Sequence, residues 1–314
     1  MKYSGIGGQA VMEGVMMKNE DKYAVAVRKP NHEIEIKISD YTAGKRFPKI
    51  RKVPIIRGVF SFVDSLYLGM STLMYSASFF EEEEVRPSQK EGITKEEKEK
   101  LKKKEDKQDK IMMGGTLVFS VVLALGIFFA LPYFLSNFFE KIISSQILIA
   151  AIEGILRLAI FILYILLISL TPDIKRTFMY HGAEHKCINC IENGLELNVS
   201  NVKMSSKQHK RCGTSFLLIV MLISIVFFMF IQVDSKVLRL VLRLVLIPVI
   251  AGASYEFIRL AGRYDNGVLN WLSKPGLLMQ KLTTKEPDED MIEVAIASVE
   301  AVFDWKKWQK EEGI

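Results

Sequence analysis

Four long apolar runs dominate the pattern of hydrophobic and polar positions along the chain. They cover residues 111–135, 147–170, 214–233 and 237–260. Each run is close to the roughly 20 residues that a helix needs to cross a bilayer core of about 30 Å. Few charged residues interrupt them, chiefly Glu153 and Arg157 in the second run and Arg239, Arg243, Glu256 and Arg259 in the fourth. The pattern predicts an α-helical membrane protein with four transmembrane helices.

The segments before the first run have other periodicities. Residues 23–28 and 33–38 alternate with period two around a Lys-Pro-Asn-His turn, which predicts a β-hairpin in a small N-terminal α+β region spanning 1–54. Residues 55–80 have helical periodicity but contain Arg57 and Asp64. We therefore expect an amphipathic helix that lies in the membrane interface or packs against the bundle, and not a fifth span.

Charged and turn-forming stretches flank the apolar region. Residues 81–110 are almost entirely charged, which indicates a solvated helix or a disordered linker. The fold then continues as a four-helix transmembrane bundle over 111–260, with a long connection at 172–213. In the C-terminal region, 261–314, turn signals at 265–267 and 274–276 precede an amphipathic helix predicted over 288–308.

Charge placement predicts the orientation in the membrane. The net charge is +6 with 49% hydrophobic residues, and the 172–213 connection contains seven Lys and Arg residues, whereas 136–146 contains one. By the positive-inside rule, both termini and the 172–213 connection are expected to be cytoplasmic. The first residues form no apolar stretch, so we expect no cleaved signal peptide. Basic residues are interleaved with acidic ones, and we expect no sequence-specific nucleic-acid binding.

The chemistry is concentrated in the 172–213 connection. Three of the four histidines and all three cysteines lie between 181 and 212. In His181-Gly-Ala-Glu184-His185, the two imidazoles and the carboxylate share one face if the segment is helical. Neutral imidazole and thiolate are preferred zinc ligands, and a cytoplasmic location keeps thiols reduced. A metal site is the preferred interpretation, and a polar membrane-edge loop is the alternative.

Two ligand sets compete on spacing. The first consists of His181, His185, His209 and Cys212, with Glu184 as a base or a further ligand. The second pairs Cys187-x-x-Cys190 with His209-x-x-Cys212 across 18 residues, a spacing typical of a structural zinc ribbon. A closed four-ligand site would be structural, whereas a catalytic site keeps one position open. Spacing alone slightly favours the ribbon.

Four motifs in sequence order resemble a known family. They are Gly7-Gly-Gln-Ala-Val-Met-Glu13-Gly, Tyr180-His-Gly-Ala-Glu-His-Lys186, Arg211-Cys-Gly-Thr-Ser-Phe216, and Lys274-Pro-Gly-Leu with Thr283-Thr-Lys-Glu-Pro287. Over nearly the whole chain, the sequence resembles the YqhQ-like family of bacterial membrane proteins, which are described as predicted metal-dependent enzymes. The family pattern after the histidine motif is Thr-Ile-Asn-Ala, whereas this chain has Cys187-Ile-Asn-Cys190. The resemblance therefore favours the first ligand set.

Two functions of different classes follow. One is a bacterial inner-membrane enzyme that hydrolyses a lipid or a peptide. It would use a divalent metal, which we expect to be zinc, with Glu184 or Glu256 as the proton-transferring carboxylate. The spacing from His185 to Glu256 is not unlike that of inverzincin peptidases. The other is a non-catalytic scaffold or assembly factor whose cytoplasmic face docks a protein partner such as the ribosome or the membrane-protein insertion machinery. An open ligand position would favour the enzyme.

Overall fold

The computed structural model describes residues 2–42, 48–80, 95–231, 233, 235–264 and 266–314. The chain divides into two compact units. One unit comprises Met1–Phe80 together with Ile162–Ile314, and the other is Glu81–Phe161. The candidate chemistry lies entirely in the first unit. Of the segment predicted as a charged linker, residues 81–94 lie outside the described residues, and the remainder is helical.

An antiparallel sheet with strand order β1-β2-β3-β4 forms the N-terminal region. The predicted hairpin corresponds to β3 and β4, which pair over their whole length. The hydrophobic pattern did not predict β1 and β2, because this Gly-rich and Met-rich stretch lacks a clear period-two alternation. Their structure comes from sheet pairing and burial, which often override weak strand propensity. The strands are β1 (Gly7–Val11), β2 (Gly14–Asn19), β3 (Lys22–Arg28) and β4 (Ile34–Asp40).

Helices cover the sheet on both faces. One face, which includes Val15, Met17 and Ala26, packs against α5 (Pro172–Glu192) and α11 (Glu289–Glu300) in a single hydrophobic core. The other face, which includes Val11 and Val25, packs against Leu68 of α1 (Ile56–Ala77). The sheet therefore has apolar side chains on both faces, and helices bury both of them. As a result, α1 and α5 lie on opposite sides of β1.

Four helical segments of the described chain are long and apolar enough to cross a membrane. They are Gly114–Lys141, Gln146–Ile168, Gly213–Phe230 and Val237–Gly262, in agreement with the four predicted spans. In the second, Arg157 donates to Glu153 at 2.7 Å, so these two charges pair with each other. The contributing helices are α2 (Lys95–Leu125), α3 (Leu131–Asn137), α4 (Gln146–Ile168), α7 (Gly213–Phe230), α8 (Lys236–Val245) and α9 (Ile247–Arg263).

The segments outside the four candidate spans contain more helix than the sequence indicated. The 172–213 connection holds α5 and also α6 (Val199–Met204). The turn predicted at 274–276 is wrong, because Pro275 lies inside α10 (Gly267–Thr283). Proline has a helix-compatible φ and loses only one N–H, and packing of α10 against α7 outweighs that loss. The single helix predicted over 288–308 is instead α11 followed by α12 (Trp305–Glu312).

Candidate metal centre

Helix α5 presents the His-Gly-Ala-Glu-His motif on one face. The helix begins after Thr171 with a proline in its first turn and ends at Glu192. Glu184 and His185 are buried, and His181 is half-buried. Because residues three and four apart lie on the same side of a helix, the side chains of all three point towards the same region.

Cys212 completes a cluster with the two motif histidines. One ligand atom each from His181, His185 and Cys212 lies within 4.8 Å of the other two. The Cys212 Sγ atom is 3.2 Å from His181 Nε2 and 2.9 Å from the hydroxyl oxygen of Thr214. Cys212 immediately precedes α7, so the position of the start of this helix places the thiol next to the face of α5.

Backbone carbonyls orient both imidazoles. His181 Nδ1 lies 2.9 Å from the Thr283 oxygen, and His185 Nδ1 lies 2.7 Å from the Lys207 oxygen. A carbonyl only accepts a hydrogen bond, so each Nδ1 carries the proton. Each Nε2 is then the atom available to a metal. This arrangement, in which the second ring nitrogen donates to a carbonyl, is the usual support of metal-binding histidines.

Glu184 lies beside the cluster, and one of its carboxylate oxygens makes no hydrogen bond to the described residues. Among the described residues, no hydrogen-bond partner reaches its buried Oε2 atom. Burial raises the pKa of this carboxyl, while the adjacent His181 and His185 and a hydrogen bond from the Gly8 N–H act against that rise. A β-carbon added at Gly8 would lie 2.9 Å from the Glu184 side chain, so only glycine allows β1 to approach this closely.

The cluster opens onto a cavity of about 560 Å³. Its lining includes His181, Glu184, His185 and Cys212, together with residues of β1 and Ser65 of α1. All three donor residues therefore border one cavity, although His185 and Cys212 are almost fully buried, and a small molecule or chain segment has space next to them. A site with three protein ligands and an open side is characteristic of catalytic zinc centres.

Cys212 and His181 polarise each other. Burial raises the pKa of the Cys212 thiol, but the charges of His181 and His185 outweigh this and bring it well below its usual value. Burial likewise disfavours the charged form of His181, whereas the neighbouring thiolate raises the imidazole pKa to about 9. Both shifts favour transfer of the proton from the Cys212 thiol to His181 Nε2, and a metal ion bound there would replace that proton.

His209, which belonged to both predicted ligand sets, makes different contacts. Its ring lies 5.7 Å from that of His185 between centroids, and it lines the same cavity. Its Nε2 atom, however, lies 3.6 Å from Glu192, while Gln280 bonds both its backbone N–H and its carbonyl. His209 is therefore adjacent to the cluster of His181, His185 and Cys212 but is not one of its three members.

Glu256, the second predicted proton carrier, is placed elsewhere. It pairs with Arg57, which donates to it through Nε at 2.6 Å and also through a terminal nitrogen. It is not among the described residues that line the cavity of the cluster. A carboxylate within an apolar helix needs a cation, and helix packing between α1 and α9 supplies one here. Of the two predicted carboxylates, only Glu184 lies at the cluster.

The two cysteines of the ribbon alternative lie in the hydrophobic core. Cys187 and Cys190 are both fully buried, and neither belongs to the cluster. Burial raises the pKa of Cys187 well above its usual value. The Cys190 thiol faces the Glu196 carbonyl at 3.4 Å. Spacing suggested a ribbon because it does not show that Cys187 and Cys190 pack in the hydrophobic core.

Several supporting residues were not singled out from the sequence. Thr283 and Lys207 act through backbone carbonyls, which have no signature in residue type. Gly182 lies so close to the 284–288 segment that an added β-carbon would be 2.0 Å from the Lys285 oxygen. Gly182 and Thr283 do fall within the motifs that carried the family resemblance, so the motifs were a usable signal of spatial proximity.

Comparison with known proteins agrees with that resemblance. A family model described as "Protein of unknown function (DUF1385)" matches residues 53–305. This chain belongs to that family. It is 35% identical over 297 residues to "Uncharacterized protein YqhQ" of Bacillus subtilis (strain 168), covering 93% of this chain and 90% of the relative. No solved structure matches.

Proposed function

We propose that the protein is a multi-pass protein of the bacterial inner membrane that holds a zinc-type metal ion at its cytoplasmic face. His181, His185 and Cys212 would bind the ion. The convergence of their three donor atoms within 4.8 Å carries this proposal. Two further observations support it. Backbone carbonyls contact both Nδ1 atoms, and the Oε2 atom of Glu184 makes no hydrogen bond to the described residues. These features fit a metal because they leave the Nε2 atoms and the thiolate as unshared electron-pair donors.

We propose further that the site catalyses hydrolysis. A bound zinc-type ion would supply a Lewis acid and would lower the pKa of a bound water to about 7. Glu184 has the features of the proton carrier, because it is buried, lines the cavity and has one free oxygen. Its Oε2 atom would accept a proton from the attacking water and return it to the leaving group. Both lipid and peptide substrates are compatible with this chemistry.

Elemental analysis of purified protein tests the metal proposal. Wild type should contain about one zinc per chain, and His185→Ala should lose most of it. Glu184→Gln is the matched control, because it alters a cavity residue outside the three donors and should retain zinc while losing hydrolysis. Wild-type protein that stays metal-free after incubation with zinc would overturn the proposal and would favour the scaffold function.

The contact between Cys212 and His181 favours a second candidate chemistry. The Cys212 Sγ atom lies 3.2 Å from His181 Nε2, and a cysteine beside an imidazole base can act as a nucleophile without any metal. The two candidates differ in their response to zinc. Zinc would activate a metal-dependent hydrolase, whereas it would inhibit an enzyme that uses the Cys212 thiolate directly.

A further inference from the structure

The free edge of the N-terminal sheet borders the cavity beside the donor cluster. Strand β1 is the first in the strand order, and in the part of the chain that the structure describes no other strand pairs with its outer side. Residues 5–10 line the cavity together with His181 and Cys212. A second cavity, of about 250 Å³, lies along the same stretch and shares Ser65 with the first. Open space therefore follows β1 between α1 and α5.

The backbone of β1 has groups directed into this space. In an antiparallel ladder, alternate residues turn their N–H and C=O away from the partner strand. Val11 pairs with Gly14 across a two-residue turn, so alternation from this closing pair turns the N–H and C=O groups of Gly8 and Ala10 outward. A β-carbon added at Gly5 or Gly7 would meet open space, so no side chain shields the strand there. This edge can accept a further strand.

We infer that the cavity binds an extended polypeptide segment as an additional strand on β1, which makes a peptide the substrate of the proposed hydrolase. Strand addition to a free sheet edge is a common mode of peptide recognition, in which backbone hydrogen bonds supply affinity. The five residues of β1 offer an edge of roughly 17 Å at about 3.3 Å per residue. A peptide on this edge would pass directly beside Glu184, because a β-carbon added at Gly8 would lie 2.9 Å from the Glu184 side chain.

The charges of the cavity favour a peptide over a phospholipid headgroup. Among its described lining residues, Arg211 is the one Lys or Arg. Arg211 already pairs with Glu192 at 2.5 Å. Phosphate recognition usually requires cationic donors that are free to bond the anion. A neutral peptide backbone needs only the donors and acceptors that β1 provides.

The reaction that follows is ordinary peptide hydrolysis. The oxygen of water forms a bond to the carbonyl carbon, and the bond between that carbon and the amide nitrogen breaks. One proton of the water passes through Glu184 to the departing nitrogen, giving a carboxyl and an amine. This part of the inference rests on the proposed hydrolase function, whereas strand binding does not depend on the metal.

The test uses the full chain in detergent micelles and fluorescein-labelled β-casein as an unfolded polypeptide. Binding is measured by anisotropy with Glu184→Gln protein, which should not cleave the probe. Adding Ser65→Trp should fill the space beside β1 and weaken binding at least tenfold. Adding Leu66→Trp is the matched control, because that neighbouring side chain is 55% exposed and does not line either cavity. The control should bind like the parent protein.

Two further measurements separate the possible outcomes. Hydrogen exchange at the Ala10 amide should slow when β-casein is added, in metal-free as well as zinc-loaded protein. Absence of binding, or binding without protection of β1, would overturn the inference. Hydrolysis of phosphatidylglycerol vesicles with no action on β-casein would also overturn it and leave the hydrolase intact. Protection of β1 in a protein that never binds zinc would instead contradict the proposed hydrolase function and support strand addition to β1.

Discussion

The Nδ1 atom of His181 lies 2.9 Å from the carbonyl oxygen of Thr283, a residue 102 positions later in the chain. The next residue, Gly182, lies against the same segment at Lys285. The orientation of the histidine therefore depends on the docking of residues 283–287 against α5. The histidine motif and the Thr-Thr-Lys-Glu-Pro motif form one structural unit, and changes in either should affect the site.

Enlarging Gly182 should disrupt this unit. In Gly182→Ala the new methyl group would lie 2.0 Å from the Lys285 oxygen, so the backbone must move. We expect a loss of roughly 1–3 kcal/mol in the free energy of unfolding, despite the gain in helix propensity. Thermal unfolding in detergent measures the effect. Gly114→Ala is the control, because its β-carbon meets open space, and unchanged stability in Gly182→Ala would contradict the described packing.

Replacing the two core cysteines distinguishes the ligand sets. The double variant Cys187→Thr and Cys190→Ala should keep the zinc content of wild type, because neither thiol belongs to the donor cluster. Cys212→Ala should lose it. Both variants are compared by elemental analysis after a check of folding by thermal unfolding. Loss of zinc from a folded double variant would support the ribbon instead.

The reactivity of Cys212 should reveal its thiolate. Its pKa is lowered mainly by the charge of His181, against the effect of burial. In the absence of metal, iodoacetamide at pH 6 should therefore alkylate Cys212 at least tenfold faster in wild type than in His181→Ala. The variant lacks the imidazole charge, so its thiol pKa should be higher. Mass spectrometry after limited reaction identifies the labelled cysteine. Cys187 provides an internal control, since burial raises its pKa, and zinc should protect Cys212 if it is a ligand.

Glu192 should make the fold sensitive to acid. Burial alone would raise its pKa, but bonds from His209 and Ser4 and the charge of Arg211 bring it to about 2. Because the folded-state pKa is below the unfolded value, the stabilisation is complete above about pH 4.5 and is lost as the pH falls towards 2. Wild type should lose roughly 3 kcal/mol over this range through this group. Glu192→Gln should be less stable at pH 7 and should lack this dependence, whereas Glu196→Gln at an exposed position should behave like wild type.

Orientation in the membrane can be tested by labelling single cysteines. Ser144→Cys and Asn193→Cys place thiols at exposed positions on either side of the predicted membrane. In intact cells, an impermeant maleimide should label the first, which we predict to be outside, but should label the second only after lysis. The buried native cysteines make wild type the background control. Labelling of Asn193→Cys in intact cells would place the site outside and contradict the cytoplasmic proposal.

The sequence by itself determined the local features of this protein. Four apolar runs specify four helices that are long enough to cross a bilayer, because length and apolarity alone meet that requirement. Period-two alternation identified β3 and β4, and the spacing of His181, Glu184 and His185 placed them on one helical face. Each of these features depends on residues that are near neighbours in the chain, where backbone geometry fixes which side chains lie together.

Only the tertiary structure decided which partner each polar side chain meets. By residue type, His209 is as good a ligand as His181, but packing turns its ring towards Glu192. Glu256 similarly finds Arg57 across a helix contact. Strand β1, which lacks a strong strand pattern, forms because β2 pairs with it. The physical reason is that a buried charge or backbone group needs a hydrogen-bond or ion-pair partner. Which partner is available depends on packing between residues far apart in the chain, and the hydrophobic pattern of near neighbours does not show that packing.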